Sequence, residues 1–317
     1  MSKSISPRTM NGSSLAALGI LLFVVTTLTI QSWRDRTETA SGEPVPVYEA
    51  PRPTVSTDRP QDYEGINPAQ LLLQVTFDNS PLGPYDENRL EREWLGFSWA
   101  NGADEGRTSI VDDAQRGRVL KVEYPSGSVG PRAGGAQWRV DLPSTRSDLF
   151  TAYYIKFDDG FVFGKGGKLP GLSGGEANSG GDRPDGSDGW SARMMWRENG
   201  EAGQYLYYPD QKTDYGDLMR YRDGSRPFRF EAGRWYRVEH RVFLNTPGQS
   251  DGRMQAWIDG QLVLNQADLR YRDTFDLGID GFYFSTFFGG SSRDWASPKT
   301  QHIFFDDFIV AAEPITH

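Results

Sequence analysis

From Leu71 to Val310 the chain runs as short β-rich stretches divided by turn residues, with strand starts recurring roughly every ten residues. The runs are LLLQVTFDN, RVLKVEY, GAQWRVDL, LFTAYYIKF, SARMMWR, QYLYY, RWYRVEHRVFL, RMQAWIDGQLVL, GFYFSTFF and HIFFDDFIV. Stretches of helical period are scarce. Many short strands cannot each bury an apolar face alone, so this rhythm predicts an all-β domain of two antiparallel sheets packed face to face. Within it, Asp259-Gly260 in AWIDGQLVL predicts a tight hairpin, because both residues tolerate the positive backbone angles that a primed turn demands. One stretch breaks the rhythm. Gly164 to Gly189 (GKGGKLPGLSGGEANSGGDRPDGSDG) predicts a long loop, and loops of that length inside a compact domain usually carry function.

The N-terminus has a different character. Residues 1–12 are basic, and Ser13 to Ile30 is almost uninterrupted apolar chain, flanked by Lys3, Arg8, Arg34 and Arg36. This pattern directs a chain to a membrane, as one hydrophobic helix over residues 13–31 that is either a signal anchor or a cleaved signal peptide. The lack of a small-x-small cleavage site favours the anchor. Residues 32–65 are rich in Pro, Thr, Ser and charge and read as a linker with nothing to pack. That leaves residues 66–317 as one exported domain, outside the cytoplasm if anchored, or secreted or periplasmic if cleaved. With no cysteine in the chain, disulfides, thiolate metal sites and thiol nucleophiles are all excluded.

A formal charge of -9 argues against a nucleic-acid partner, which would need a basic face. An anionic polysaccharide is still compatible, since capture depends on the charge lining the site rather than on the total. Three neighbouring segments offer such a lining: Lys168 in KGGKLPGL, Ser191 and Arg193 in WSARMMWR, and Tyr205 and Tyr207 in QYLYY. Residues two apart on a strand share a face, so each pair points one way. If the two strands are neighbours, all four side chains line one sheet face.

Those residue types suit β-elimination at a uronate. Arginine grips the carboxylate and makes the adjacent C5 proton acidic; a base removes it; an acid protonates the departing O4. Arg193 would neutralise, Lys168 would act as base or share the neutralisation, and Tyr205 or Tyr207 would move protons, with a tyrosine pKa lowered by Arg193. Ser191 would hydrogen-bond the carboxylate or orient a neighbour. Taken by composition alone, an arginine and two tyrosines on strands are more often a surface ladder. KGGK is likewise no phosphate loop, since no Ser or Thr follows its lysine in the required frame.

The order KGGKLPGL, WSARMMWR, then a Tyr-x-Tyr strand resembles polysaccharide lyase family 14, the alginate and glucuronan lyase group. YPSGSVGPRAGGAQW before these segments, and FSTFFGG and FFDDF after them, are similar to strands of that family. The resemblance spans about Leu71 to Val310 and implies a β-jelly roll, concanavalin-like in its two sheets. It also implies β-elimination of an acidic polysaccharide such as alginate or glucuronan without a cofactor. Lys168, Ser191, Arg193, Tyr205 and Tyr207 match the family's functional lysine, serine, arginine and tyrosine pair; Ser173 to Asp188 has no clear match.

Other residues are weaker candidates. Gln137 and Arg139 alternate with Trp138 and are a substrate-contacting pair or a solvent face, and Arg132 in the preceding loop is a further carboxylate contact. Asp182, Asp185 and Asp188, and also Asp306 and Asp307, raise a structural calcium ion, although the spacing of three in the loop does not fit an EF-hand. His240, His302 and His317 lack zinc-ligand spacing. Two rival readings remain: a noncatalytic carbohydrate-binding sandwich, and a jelly-roll glycoside hydrolase, for which no suitable pair of carboxylic acids shares a strand.

Overall fold

The computed structural model describes residues 66–290 and 292–315. The basic segment 1–12, the expected anchor at 13–31, the whole of the linker at 32–65, and His317 lie outside the described residues. In chain order the early elements are β1 (Leu71–Val75), β2 (Gly83–Pro84), the helix α1 (Glu87–Glu93), β3 (Trp99–Asn101), β4 (Thr108–Asp113) and β5 (Gly117–Tyr124). Then come β6 (Ala136–Arg146), β7 (Asp148–Phe157), β8 (Gly166–Gly175), β9 (Gly189–Arg197) and β10 (Ala202–Tyr207). The short β11 (Asp217–Arg220), β12 (Arg222–Asp223) and β13 (Arg226–Pro227) precede β14 (Trp235–Phe243) and β15 (Gly252–Ile258). Last are β16 (Gln261–Leu269), β17 (Ile279–Phe288) and β18 (Gln301–Ala311).

These strands form the expected sandwich. A nine-stranded sheet has the order β16-β15-β14-β7-β18-β5-β4-β2, with β1 also paired to β18, and a seven-stranded sheet has the order β11-β10-β9-β8-β17-β6-β3. Every pairing within them is antiparallel. The predicted hairpin joins β15 to β16, with positive φ at both Asp259 and Gly260 (49° and 78°).

The core lies between the sheets. Trp138 stacks on Phe284 with ring centroids 3.8 Å apart, and Trp94 meets both of those rings and Phe308. Helix α1 supplies Trp94: Asp86 caps its first turn by accepting from the Arg89 amide, and Leu90 and Trp94 turn inward. Truncating a buried Trp of this kind costs about 3–5 kcal/mol.

The structure corrects the reading of Gly164 to Gly189 as one long loop. Its first part is strand β8, paired on both edges, to β9 and to β17. Glycine is there for close packing. A Cβ on Gly167 would sit 2.2 Å from the Trp196 ring, and one on Gly174 would sit 2.0 Å from the Gly278 carbonyl oxygen. Apart from the turn at 164–165, only residues 176–188 remain as loop.

Candidate active site

The seven-stranded sheet has an inner face on the core and an outer face turned away from it. Strand alternation divides β9 cleanly. Trp190, Ala192, Met194 and Trp196 belong to the main core, and Ser191, Arg193, Met195 and Arg197 take the outer face. Register then settles which partners join them, because directly paired residues share a face. Tyr205 pairs with Arg193 and Tyr207 with Ser191, so the expectation that β9 and β10 are neighbours holds. Lys168 pairs with Met195 on one side and Phe287 on the other. All five residues singled out in the sequence therefore occupy one face.

Their surroundings differ. Arg193 is 2% exposed and has no carboxylate partner among the described residues. Its guanidinium donates to Ser285 Oγ at 3.2 Å and lies 4.7 Å from the centre of the Tyr283 ring, while its buried Nε has no hydrogen-bond partner. A buried guanidinium without a counter-ion is costly, which marks the place where an anion would be welcome.

Lys168 is 8% exposed; its Nζ lies 3.9 Å from the centre of the Tyr205 ring and 3.2 Å from Met195 Sδ. Burial, then the charges of Arg193 and Arg197, hold this amine well below the usual lysine pKa. Tyr205 moves the other way: burial and the neighbouring Tyr207 raise its pKa, outweighing the opposing pull of Arg193 and Arg197. Arg193 does pull the pKa of Tyr205 down as expected, but it is outweighed, because desolvation of a phenolate is the larger effect here.

Ser191 and Tyr207 are engaged with the loop. Ser191 Oγ donates to the Asn178 carbonyl at 2.7 Å, and Tyr207 Oη accepts from the Gly181 amide at 3.2 Å. Both are buried, and together they fasten residues 176–188 to the sheet. The loop's acids hydrogen-bond within the loop itself. Asp182 and Asp188 accept from the Asn178 side chain at 3.1 and 2.9 Å, and Asp185 accepts from Ser187 and the Asp188 amide. Asp306 and Asp307 pair with Arg116. No group of three or more metal-ligating side chains occurs among the described residues.

The weaker candidates separate. Gln137 lies on the site face, donating to Asn101 Oδ1 at 3.1 Å and accepting from the Tyr283 hydroxyl at 3.4 Å. Arg139 is on the same face but is already paired with Asp141 and Asp280, so it is not an open carboxylate clamp. Arg132 is exposed, in a loop pinned to the end of β17 by the Gly130 amide bond to the Phe288 carbonyl. His240 faces the core: its Nε2 lies 3.1 Å from the Tyr221 hydroxyl, and burial lowers its pKa to about 3. Arg197, Tyr283 and Ser285 were missed. The alternation of WSARMMWR already placed Arg197 with Arg193, but nothing local in the sequence brings β17 beside β8.

Comparison with known proteins bears on the family and the fold. The polysaccharide lyase 14 family profile matches residues 112–308. No curated protein matches. Among solved structures, alginate lyase Aly36B is similar over 78% of this chain and 99% of its own, with 29% identity and a TM-score of 0.67. The PL-14 alginate lyase of Aplysia kurodai is similar over 77% of this chain and 99% of its own, with 28% identity and a TM-score of 0.66. An Aly36B double mutant bound to an alginate tetrasaccharide is similar at 27% identity and a TM-score of 0.67, over 78% of this chain and 99% of that one. With the profile spanning more than half of the sequence and the sandwich matching nearly the whole of these enzymes, the chain belongs to polysaccharide lyase family 14 and is a polysaccharide lyase.

Proposed function

We propose that this lyase cleaves a uronate-containing polysaccharide, alginate in the first place, by β-elimination. One observation carries the reading: the buried Arg193, unpaired by any carboxylate among the described residues, beside a lysine whose amine is held well below its usual pKa. Alginate is favoured over glucuronan because the similar structures above 25% identity are alginate lyases.

In this reading the uronate carboxylate sits against Arg193, which draws off the negative charge that develops as C5 loses its proton. Neutral Lys168 takes that proton. The electron pair left on C5 forms the C4=C5 double bond, the C4–O4 bond breaks, and Tyr205, kept as a phenol by burial, protonates O4. No water is consumed, and a net transfer from the lysine ammonium to the tyrosinate restores both groups. Ser191 and Tyr207 act on this step through the loop at 176–188, which they hold. Gln137 is the further residue on the face that we assign to substrate contact.

We place the domain outside the cytoplasm, where it would meet such a polymer; the apolar run Ser13 to Ile30 supports this. Fractionation of producing cells tests it, with activity expected in the membrane or exported fraction and contradicted by activity confined to the cytosol. The reaction is tested by incubating the purified protein with alginate, its mannuronate and guluronate blocks, and glucuronan. Ultraviolet absorbance of the unsaturated uronate is expected to rise with alginate, and absence of any rise would overturn the proposal.

A further inference from the structure

The face that carries Arg193 extends well beyond it. Across β11, β10 and β9 the register places Leu218, Tyr205 and Arg193 in one row. After a bulge in β8, where Leu169 and Leu172 shift register against β9, another row runs on through Gly171, Tyr283, Arg139 and Trp99. These last residues lie on β8, β17, β6 and the sheet's edge strand, β3. The rows are linked physically. The Arg193 guanidinium lies 4.7 Å from the Tyr283 ring centre, and Tyr283 meets the Trp99 ring edge-to-face with centroids 5.4 Å apart.

Trp99 differs from the other aromatics along this path. Tyr205, Tyr207 and Tyr283 are buried, whereas Trp99 is 37% exposed. Its charged neighbour in the row, Arg139, is already neutralised by Asp141 and Asp280. This end of the face therefore offers a broad indole and no free cation. Such a surface suits the apolar C–H face of a pyranose ring rather than its carboxylate. An edge strand also leaves nothing beyond it in the sheet to block a polymer running across the strands.

We propose that Trp99 forms a second carbohydrate subsite, stacking on the ring of a sugar a short way along the same polymer from the residue held by Arg193. This rests on the uronate reading of the site. Arg193 fixes the charge of the reacting residue, and Trp99 holds the chain by ring contact, so the subsite acts on long substrates and leaves the chemical step alone.

The test compares Trp99→Ala, Trp99→Phe and the unmutated full chain on alginate polymer and on the shortest alginate oligosaccharide that is cleaved. The alanine variant is expected to raise KM for polymer about tenfold, with kcat within about twofold and the short substrate unaffected. The phenylalanine variant is expected to recover most of the loss. Should the alanine variant unfold, Trp99→Leu keeps apolar packing without the ring and is expected to show the same split. Equal losses on both substrates, or no change on either, would overturn the subsite while leaving the lyase reading in place. Absence of unsaturated product from the unmutated chain would overturn the uronate reading and the subsite with it.

Discussion

Arg193 and Lys168 have opposite electrical problems, and each yields a prediction. The arginine is buried with no carboxylate partner among the described residues, so its presence costs stability in the empty enzyme. Arg193→Met, which keeps much of the volume, is expected to raise Tm while lowering kcat by about 10²- to 10³-fold. Unfolding curves and initial rates on one preparation measure both, and retained turnover would contradict the assignment. Lys168 lessens its own cost by giving up its proton more readily than an ordinary lysine. Because its folded pKa is depressed, the unfolded chain binds more protons between that value and 10.5, and this contribution to stability rises with pH across the window. Lys168→Met is therefore expected to raise Tm near neutral pH, with an advantage that shrinks toward pH 10.5, and to abolish turnover. A Tm difference independent of pH would contradict a depressed lysine. Activity of the unmutated chain should climb at a lower pH than an ordinary lysine base allows and persist on the alkaline side, where the raised Tyr205 pKa delays loss of the acid.

The loop at 176–188 depends on two side chains for its place on the sheet. Ser191→Ala removes the donor to the Asn178 carbonyl, and Tyr207→Phe removes the acceptor for the Gly181 amide. Each is expected to speed amide exchange across the loop and to reduce turnover by about tenfold, a smaller loss than at Arg193. Unchanged exchange would detach these residues from the loop. The strands themselves were largely legible in the sequence. Alternation in WSARMMWR and QYLYY gave the shared faces of Ser191 with Arg193 and of Tyr205 with Tyr207, and the Asp259-Gly260 hairpin followed from turn chemistry. β8 was not legible, since its glycines signal a loop locally and are explained by the Trp196 and Trp190 rings and the neighbouring backbone carbonyls lying against them. The pairing of Arg139 was not legible for a similar reason: Asp280, which neutralises it, is distant in sequence and arrives on β17. Pairing across distant strands has no local signature.

At the scale of the whole molecule, stability comes from the sandwich core, with no disulfide to assist it. That core includes an ionisable group: His240 is buried on the inner side, hydrogen-bonded to Tyr221, which in turn donates to Gln204 Oε1. Its folded pKa of about 3 lies below the ordinary 6.5, so the unfolded chain takes up the extra proton. Stability from this group is full above pH 6.5 and falls as the pH drops toward about 3. Chemical denaturation across that range is expected to show the decline, and His240→Gln to flatten it; equal slopes would contradict the burial of a neutral imidazole. The net charge of -9 sits on a molecule whose proposed reactive face presents Arg193 and Arg197, so the attraction for the acidic polymer proposed above would be local to that face. The most direct measurement is the ultraviolet absorbance of unsaturated uronate during incubation with alginate, followed for the unmutated chain and for Arg193→Met side by side. A steady rise for the first and a rate about 10²- to 10³-fold lower for the folded second is the predicted result. Equal rates, or no rise from the unmutated chain, would contradict the account.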